Sequence, residues 1–348
     1  MQSTFIVKVQ PFFVSLVFVL APALCGQAQT PANKGGVSAP GAGGYTSDYG
    51  SDYGVGAARR ESRREPVTVI GFKSRTVGGT PKPWAGLRFA ELLSHQLQPV
   101  MGKAPSTAAV AQMLASQRVR AQDVACPIDD RKVASAPAIV ALRSQAAWKN
   151  RFPLLVMGDV MLNGEPTGVN SRVTIRLRAV RNVPGFVGPA SAIVTVEAAA
   201  REWAQLPSRT ALALLDEMKI KLTEDERIGF LRDASPLQPA ATAERLKAEQ
   251  QLGDAIAAAI DSQVLQLGPT TAKPAVAPTL VSLRTAAQRG AAAQQLLKPV
   301  LRLSPAVTMR DGDAMAQIVR NAQSWKVYVN AVAGTAQRRL RILAARKR

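Results

Sequence analysis

The chain has 348 residues, with 44 Lys and Arg against 24 Asp and Glu, a formal net charge of +20 and a pI near 10.8. It has a single histidine, which argues against a zinc centre built from several ligands acting together and leaves any serine or cysteine nucleophile without its usual base. Aromatic residues make up 5% of the chain, too few for the stacking platforms of single-stranded nucleic-acid binding.

The amino terminus, MQSTFIVKVQPFFVSLVFVLAPALCGQAQT, follows a secretory pattern. Lys8 supplies the positive start, Pro11 to Leu24 the apolar run, and Ala21-Pro22-Ala23 and Gly26-Gln27-Ala28 the small residues near a cleavage point. The apolar run is shorter than the roughly 20 residues a bilayer crossing needs. Residues 1–28 are therefore expected to be a signal peptide and the mature chain to be exported, to the periplasm or cell envelope. Cys25 is a candidate lipidation site, although Leu24 stands before it where a small residue is usual. After cleavage beyond Ala28, Cys126 is the one cysteine left, so no internal disulfide forms. Residues 29–65 are rich in Gly, Ala, Ser and Tyr and contain a tandem SDYG. They can bury almost nothing to offset the entropy of ordering, and they read as a flexible tether.

Residues 66–234 read as an α/β domain. VTVIGF is a short β-branched strand. WAGLRFAELLSHQLQPV has Leu87, Ala90, Leu93 and Leu97 on helical spacing and a stop at Pro99. A short helix over 106–116 takes Ser106 as its N-cap, and a third covers 136–150. LLVMGDVML, apolar on both sides, suits a covered central strand. A Gly/Pro/Asn-rich turn leads to RVTIRLRAV, which alternates, and SAIVTVE is a further strand. A helix over 206–222, capped by Ser208, places Leu212, Leu215, Met218 and Leu222 on one face. The order β-α-α-α-β-β-β-α predicts an α/β sandwich with helices on a mixed sheet. Residues 235–348 change texture: helical stretches over 240–266, 277–303 and 312–347, separated by Pro and Gly, predict an all-helical domain, either a bundle or a tetratricopeptide-like stack.

From VTVIGF to about Arg227 the order of features resembles the curli-secretion (CsgG-like) lipoproteins and the TolB amino-terminal domain. The resemblance is carried by Trp84, Gly86, Ala90, Glu91, Leu92 and Leu93 in the first helix, by LLVMGDV ending its apolar run at Gly158, by the hairpin RVTIRLRAVR and by the closing ALALLDEM…LTEDER. It implies an envelope module that binds protein partners or assembles into rings and is not an enzyme. The sequence departs from the pattern in its cysteine context and in carrying a helical region where TolB has a propeller. The missing propeller argues against a Tol-type role, and the lack of an amphipathic pair of transmembrane hairpins argues against a curli-type pore.

Candidate chemistry is sparse. His95 lies mid-helix with no ligand partner at metal spacing, and Cys126, in VACPIDD, reads as a small buried residue beside a turn. Asp129-Asp130 and Glu224-Asp225-Glu226 are adjacent acids, which do not converge on one cleft as a glycosidase pair must. Asp311 and Asp313 lack the remaining ligands of a calcium loop and suit helix capping. Neither Gly78-Gly79-Thr80 nor Gly41 to Gly44 has the setting of a phosphate loop. No catalytic residue, metal or cofactor is expected. The basic features remain. Arg172, Arg176 and Arg178 project from one strand face, neighbours about 7 Å apart, with Arg181 just past the end. They are either a grip for carboxylates or phosphates or a solvated or ion-paired face. At the carboxy terminus Arg338, Arg339, Arg341, Arg346, Lys347 and Arg348 stand without an acid among them, more cations than a helix dipole requires. The sequence thus points to a non-catalytic exported scaffold or adaptor, with a protein partner in the envelope and contact to an anionic membrane or wall polymer, and is compatible with a homo-oligomer. A nucleic-acid-binding protein is the alternative, and a wall-polymer hydrolase a weaker one.

Overall fold

The computed structural model describes residues 64–346 apart from 78, 81, 128–129, 144–152, 165–169, 184–185, 234–238, 269–276 and 304–308. The expected signal peptide with Cys25, the tether, Lys347 and Arg348 lie outside the described residues.

Strand β1 (Val67–Val77) is followed by helices α1 (Pro83–Met101), α2 (Thr107–Ser116), a single turn α3 (Asp130–Val133) and α4 (Pro137–Arg143). Strands β2 (Leu154–Asn163), β3 (Arg172–Val183) and β4 (Phe186–Ala199) come next, then a 3-10 segment over 200–205, α5 (Leu206–Glu217) and α6 (Glu224–Asp233). Three long helices close the chain: α7 (Pro239–Leu267), α8 (Leu280–Leu301) and α9 (Met309–Ala345). The sheet order is β1-β2-β3-β4, with β1 and β2 parallel and the other pairs antiparallel. The expected α/β architecture with a mixed sheet and a helical carboxy-terminal region is therefore present. Among the described residues no helix is long and apolar enough to cross a membrane.

Local chemistry explains most boundaries. Ser106 Oγ accepts from the Ala109 amide at 3.2 Å, the expected cap of α2. Two expectations fail at helix ends. Pro99 does not stop α1, which runs on to Met101; the N–H that proline lacks would have bonded to the carbonyl of His95, an exposed residue whose carbonyl water can satisfy. Ser208 is not a cap. The 3-10 segment runs directly into α5, the cap position falls on Gln205, and Ser208 is buried in the first turn. The helix expected over 206–222 is also shorter, because α5 ends at Glu217; a separate helix, α6, begins at Glu224.

The sheet is covered on both faces. Phe72, Val156, Val160, Ile175 and Leu177 meet Trp84, Phe89 and Leu93 of α1 and Leu214 of α5 on one side. Ile70, Leu155, Met157 and Val180 meet Leu114 of α2 and Ile139 of α4 on the other. Fully burying a side chain of this size contributes about 1.5–3 kcal/mol. The second core does not stop at the α/β layers. It continues through Leu252, Ile256, Leu297, Ile318 and Trp325 into α7, α8 and α9. These three pack up-down-up: Gly290 lies against Ala333 and Gln294 bonds to Asn330, so α8 runs antiparallel to α9.

Helix α1 is the hinge-pin of the whole arrangement because two glycines let backbones close on it. A Cβ on Gly86 would stand 2.0 Å from the Phe72 carbonyl oxygen of β1. One on Gly253 of α7 would stand 2.6 Å from the Trp84 Cβ. Between these contacts lies a buried ionic cluster. The Arg88 side chain, with 0% exposure, pairs with Glu91 on its own helix and with Glu249 on α7. Trp325 Nε1 of α9 donates to Glu91 Oε1 at 3.3 Å. Burial alone would lower the basicity of Arg88, but Glu249 and Glu91 beside it outweigh burial and hold its pKa above the ordinary value.

Candidate functional site

The register of β3 puts Val173, Ile175, Leu177 and Ala179 into the core beside α1 and turns Arg172, Arg176 and Arg178 to the opposite face. Their surroundings differ. Arg176 stands opposite Asp159 of β2, which in turn stands opposite Lys73 of β1. Asp159 also ion-pairs with Arg75, Nε to Oδ1 at 3.4 Å. Arg178 is 2% exposed, beneath the connection that carries Cys126, and its guanidinium bonds to the thiol. Arg172 is exposed at the sheet's end. Arg181 lies beyond a bulge and pairs with Glu65 at 3.5 Å. The four arginines therefore do not form one open row: one is buried, two sit beside acids, and one remains exposed. Glu202, in the 3-10 segment after β4, pairs with Arg209 at 2.5 Å.

Cys126 is buried and free. Burial raises its thiol pKa and the Asp159 carboxylate raises it further, against the opposing effects of Arg176 and Arg178. A thiol held in its protonated form is the reverse of an activated nucleophile. Burial likewise pushes the Asp159 carboxyl above its ordinary value, opposed by Arg75, by the Cys126 backbone N–H and by Arg176. His95 is exposed on α1. Among the described residues no three His, Cys, Asp or Glu side chains are grouped to hold a metal. Asp311 and Asp313 fall in the opening turn of α9, and Asp130 opens α3.

The basic end is helical throughout its described part, and its arginines separate into two kinds. Arg339 Nη1 donates to the Gln266 carbonyl at 2.8 Å, and Arg118 Nη2 donates to the Leu267 carbonyl at 2.8 Å. Both close the carboxy-terminal end of α7, satisfying carbonyls that the helix itself leaves open. Arg339 is thus partly a structural residue. Arg338, Arg341 and Arg346 are exposed, as is Ile342 at 57%.

The larger basic surface was missed by sequence reading fixed on the last eleven residues. Arg284, Arg289, Lys298 and Arg302 on and just after α8, and Arg320 and Lys326 on α9, are all exposed. From Ser262 to the end the sequence has 14 Lys and Arg and only Asp311 and Asp313 against them. That run of acid-poor sequence was the available signal. The Gln294–Asn330 bond, at 2.9 Å, fixes the level of the two helices. One turn away from it, Lys298 and Lys326 come level, and Arg284 comes level with Arg341 about 21 Å further along at 1.5 Å per residue. The aromatic residues of α9, Trp325 and Tyr328, are buried and do not contribute to this face.

Comparison of the chain with family models, with curated proteins and with solved structures finds no match.

Proposed function

We propose that the chain is a non-catalytic protein of the cell envelope, a scaffold or adaptor that engages a protein partner while its helical bundle lies against an anionic surface. The observation that carries this reading is the α8–α9 face. Every charged side chain of α8, and every one on α9 from Met315 onward, is basic and exposed. Such a face, with Asp261 of α7 acting on Arg289, sets up a positive field that attracts polyanions over long range. The sheet side supplies the partner-binding half, through Arg172 and the partly neutralised Lys73–Asp159–Arg176 row, in keeping with the resemblance of residues 66–228 to envelope modules that bind proteins.

The buried state of Trp325 and Tyr328 favours a lipid or wall surface over single-stranded nucleic acid, which needs exposed aromatic faces for its bases. Sedimentation with anionic and neutral vesicles at low and high salt tests the reading. The expected result is binding to anionic vesicles that weakens as salt shortens the Debye length from about 30 Å at 0.01 M to about 8 Å at 0.15 M. Binding that is equal on both vesicles, or indifferent to salt, removes the electrostatic half. The mass of the mature amino terminus tests the compartment: the expected chain starts after Ala28 or carries lipid on Cys25, and an intact Met1 in a soluble cell extract overturns export.

A further inference from the structure

The connection from α2 to α4 borders an open cavity of about 740 Å³, inside the roughly 300–1,000 Å³ range of small-molecule sites. Its wall is largely apolar, with Val124, Pro127 and Ala136 among its residues, and among the described residues three cations, Arg118, Arg120 and Lys132, face it against the single acid Asp123. Neither the sheet arginines nor the basic carboxy-terminal end are among its lining residues.

Several bonds hold this wall in place. Arg118 adopts a left-handed backbone, φ 63°, and its guanidinium is tied to the end of α7 through the Leu267 carbonyl. Arg120 Nε stands 2.8 Å from Asp261 of α7, and its Nη1 stands 3.7 Å from Asp123. Gln122 Nε2 donates to the same Asp261 at 3.1 Å. On the far side of the connection the Cys126 N–H bonds to Asp159 of β2. The wall is therefore fastened to both the bundle and the sheet. A positive-φ arginine is strained and persists where its surroundings hold it there.

The cations are not equivalent. Arg118 is engaged with a carbonyl and Arg120 with two acids, whereas Lys132 is exposed and meets no acid among the described residues. One available ammonium beside an apolar wall matches a ligand with one negative end and one greasy body. A small inorganic anion would leave the apolar wall unused, and a polyanion would find only one cation without an acid partner among the described residues. We infer that this cavity is a binding site for a small amphipathic anion, its carboxylate or phosphate at Lys132 and its aliphatic body against Val124, Pro127 and Ala136.

The test is calorimetric titration of the full chain with dodecanoate, dodecanol, acetate, inorganic phosphate and dioctanoyl phosphatidate, each below its micellar concentration. Saturable one-to-one binding of dodecanoate is expected, about fivefold tighter than dodecanol, since one exposed charge contact contributes up to about 1 kcal/mol. Ala136→Phe sets a ring across the apolar wall and weakens binding of both. Lys132→Glu weakens dodecanoate and leaves dodecanol unchanged, which keeps the test valid if Ala136→Phe disturbs folding. Phosphatidate binding tighter than dodecanoate supports the site and assigns a phospholipid source; the reverse order supports it and assigns a free carboxylate. Paired Arg284→Glu and Arg341→Glu changes leave dodecanoate affinity unaltered, so failure of the basic helical face and failure of this site are read separately. Non-saturable uptake, affinity unaffected by both cavity variants, or acetate or phosphate binding as tightly as dodecanoate overturns the inference.

Discussion

The two halves of this molecule use the same residue types to opposite ends. Around the sheet, four cations are matched: Arg64 with Glu226 at 3.0 Å, Arg75 with Asp159 at 3.4 Å, Arg181 with Glu65 at 3.5 Å and Arg209 with Glu202 at 2.5 Å. On the outer surfaces of α8 and α9 they are exposed with no acid nearby in sequence. An exposed ion pair contributes only about 0–1 kcal/mol, so the bundle loses little stability by lacking them. What it gains is field. The comparison teaches that a net charge of +20 says less than which cations are left without neighbours of opposite sign.

The largest effect is expected where the halves meet. Arg88→Met leaves Glu91 and Glu249 buried without their counter-charge and is expected to cost about 3–5 kcal/mol in urea unfolding, while replacing all three by apolar residues returns most of that loss. A smaller loss for the single change would mean that the junction is held by packing alone. Next comes Gly86→Val, which drives a side chain into the Phe72 carbonyl and is expected to cost at least about 1–3 kcal/mol. Ser106→Ala removes the α2 cap and costs about 1 kcal/mol by the same measurement.

A pH comparison sharpens the contrast further. Burial lifts the Asp254 carboxyl of α7 to about 6, with Lys82 opposing. An unfolded aspartate titrates near about 3.9, so between those values the folded chain holds the extra proton and stability declines as pH rises, levelling above about 6. Asp254→Asn is expected to match the parent near pH 4 and to exceed it at pH 7.5, judged by the urea midpoint of each; a constant offset at both pH values would refute that titration. The smallest change in stability, within about 0.5 kcal/mol, is expected for Lys298→Glu with Lys326→Glu, which should nevertheless strip the chain from anionic vesicles. Such a pair with unaltered vesicle binding would break the comparison between the halves.

Much of this architecture was legible because long helices repeat one pattern many times. The expected stretches 240–266, 277–303 and 312–347 meet helices over 239–267, 280–301 and 309–345. Strand β4 was read only over 191–197 because Gly188 and Pro189 interrupt its start; it lies at the sheet edge with a register shift nearby, where proline is tolerated. Helix α6 announced itself in Thr223-Glu224-Asp225-Glu226, in which Glu226 accepts from the Thr223 amide at 2.7 Å and Thr223 Oγ1 accepts from the Glu226 amide at 3.3 Å. That reciprocal cap was readable and went unread. The arginine face was placed on the right side of β3, but alternation cannot reveal that the Cys126 connection folds over Arg178. The Arg88–Glu91–Glu249 cluster and the cavity were beyond sequence, since each joins segments far apart in the chain.

The bond from Trp325 to Glu91 spans 234 positions. In a nascent chain Glu91 therefore has only Arg88 of its own helix as a partner until nearly the whole polypeptide has been made, and the junction cannot set before then. Distant closure of this kind slows folding through the entropy of the intervening loop. Deleting α9 would strip Glu91 of its indole and the end of α7 of one guanidinium together, so the final segment acts as a keystone rather than an appendage.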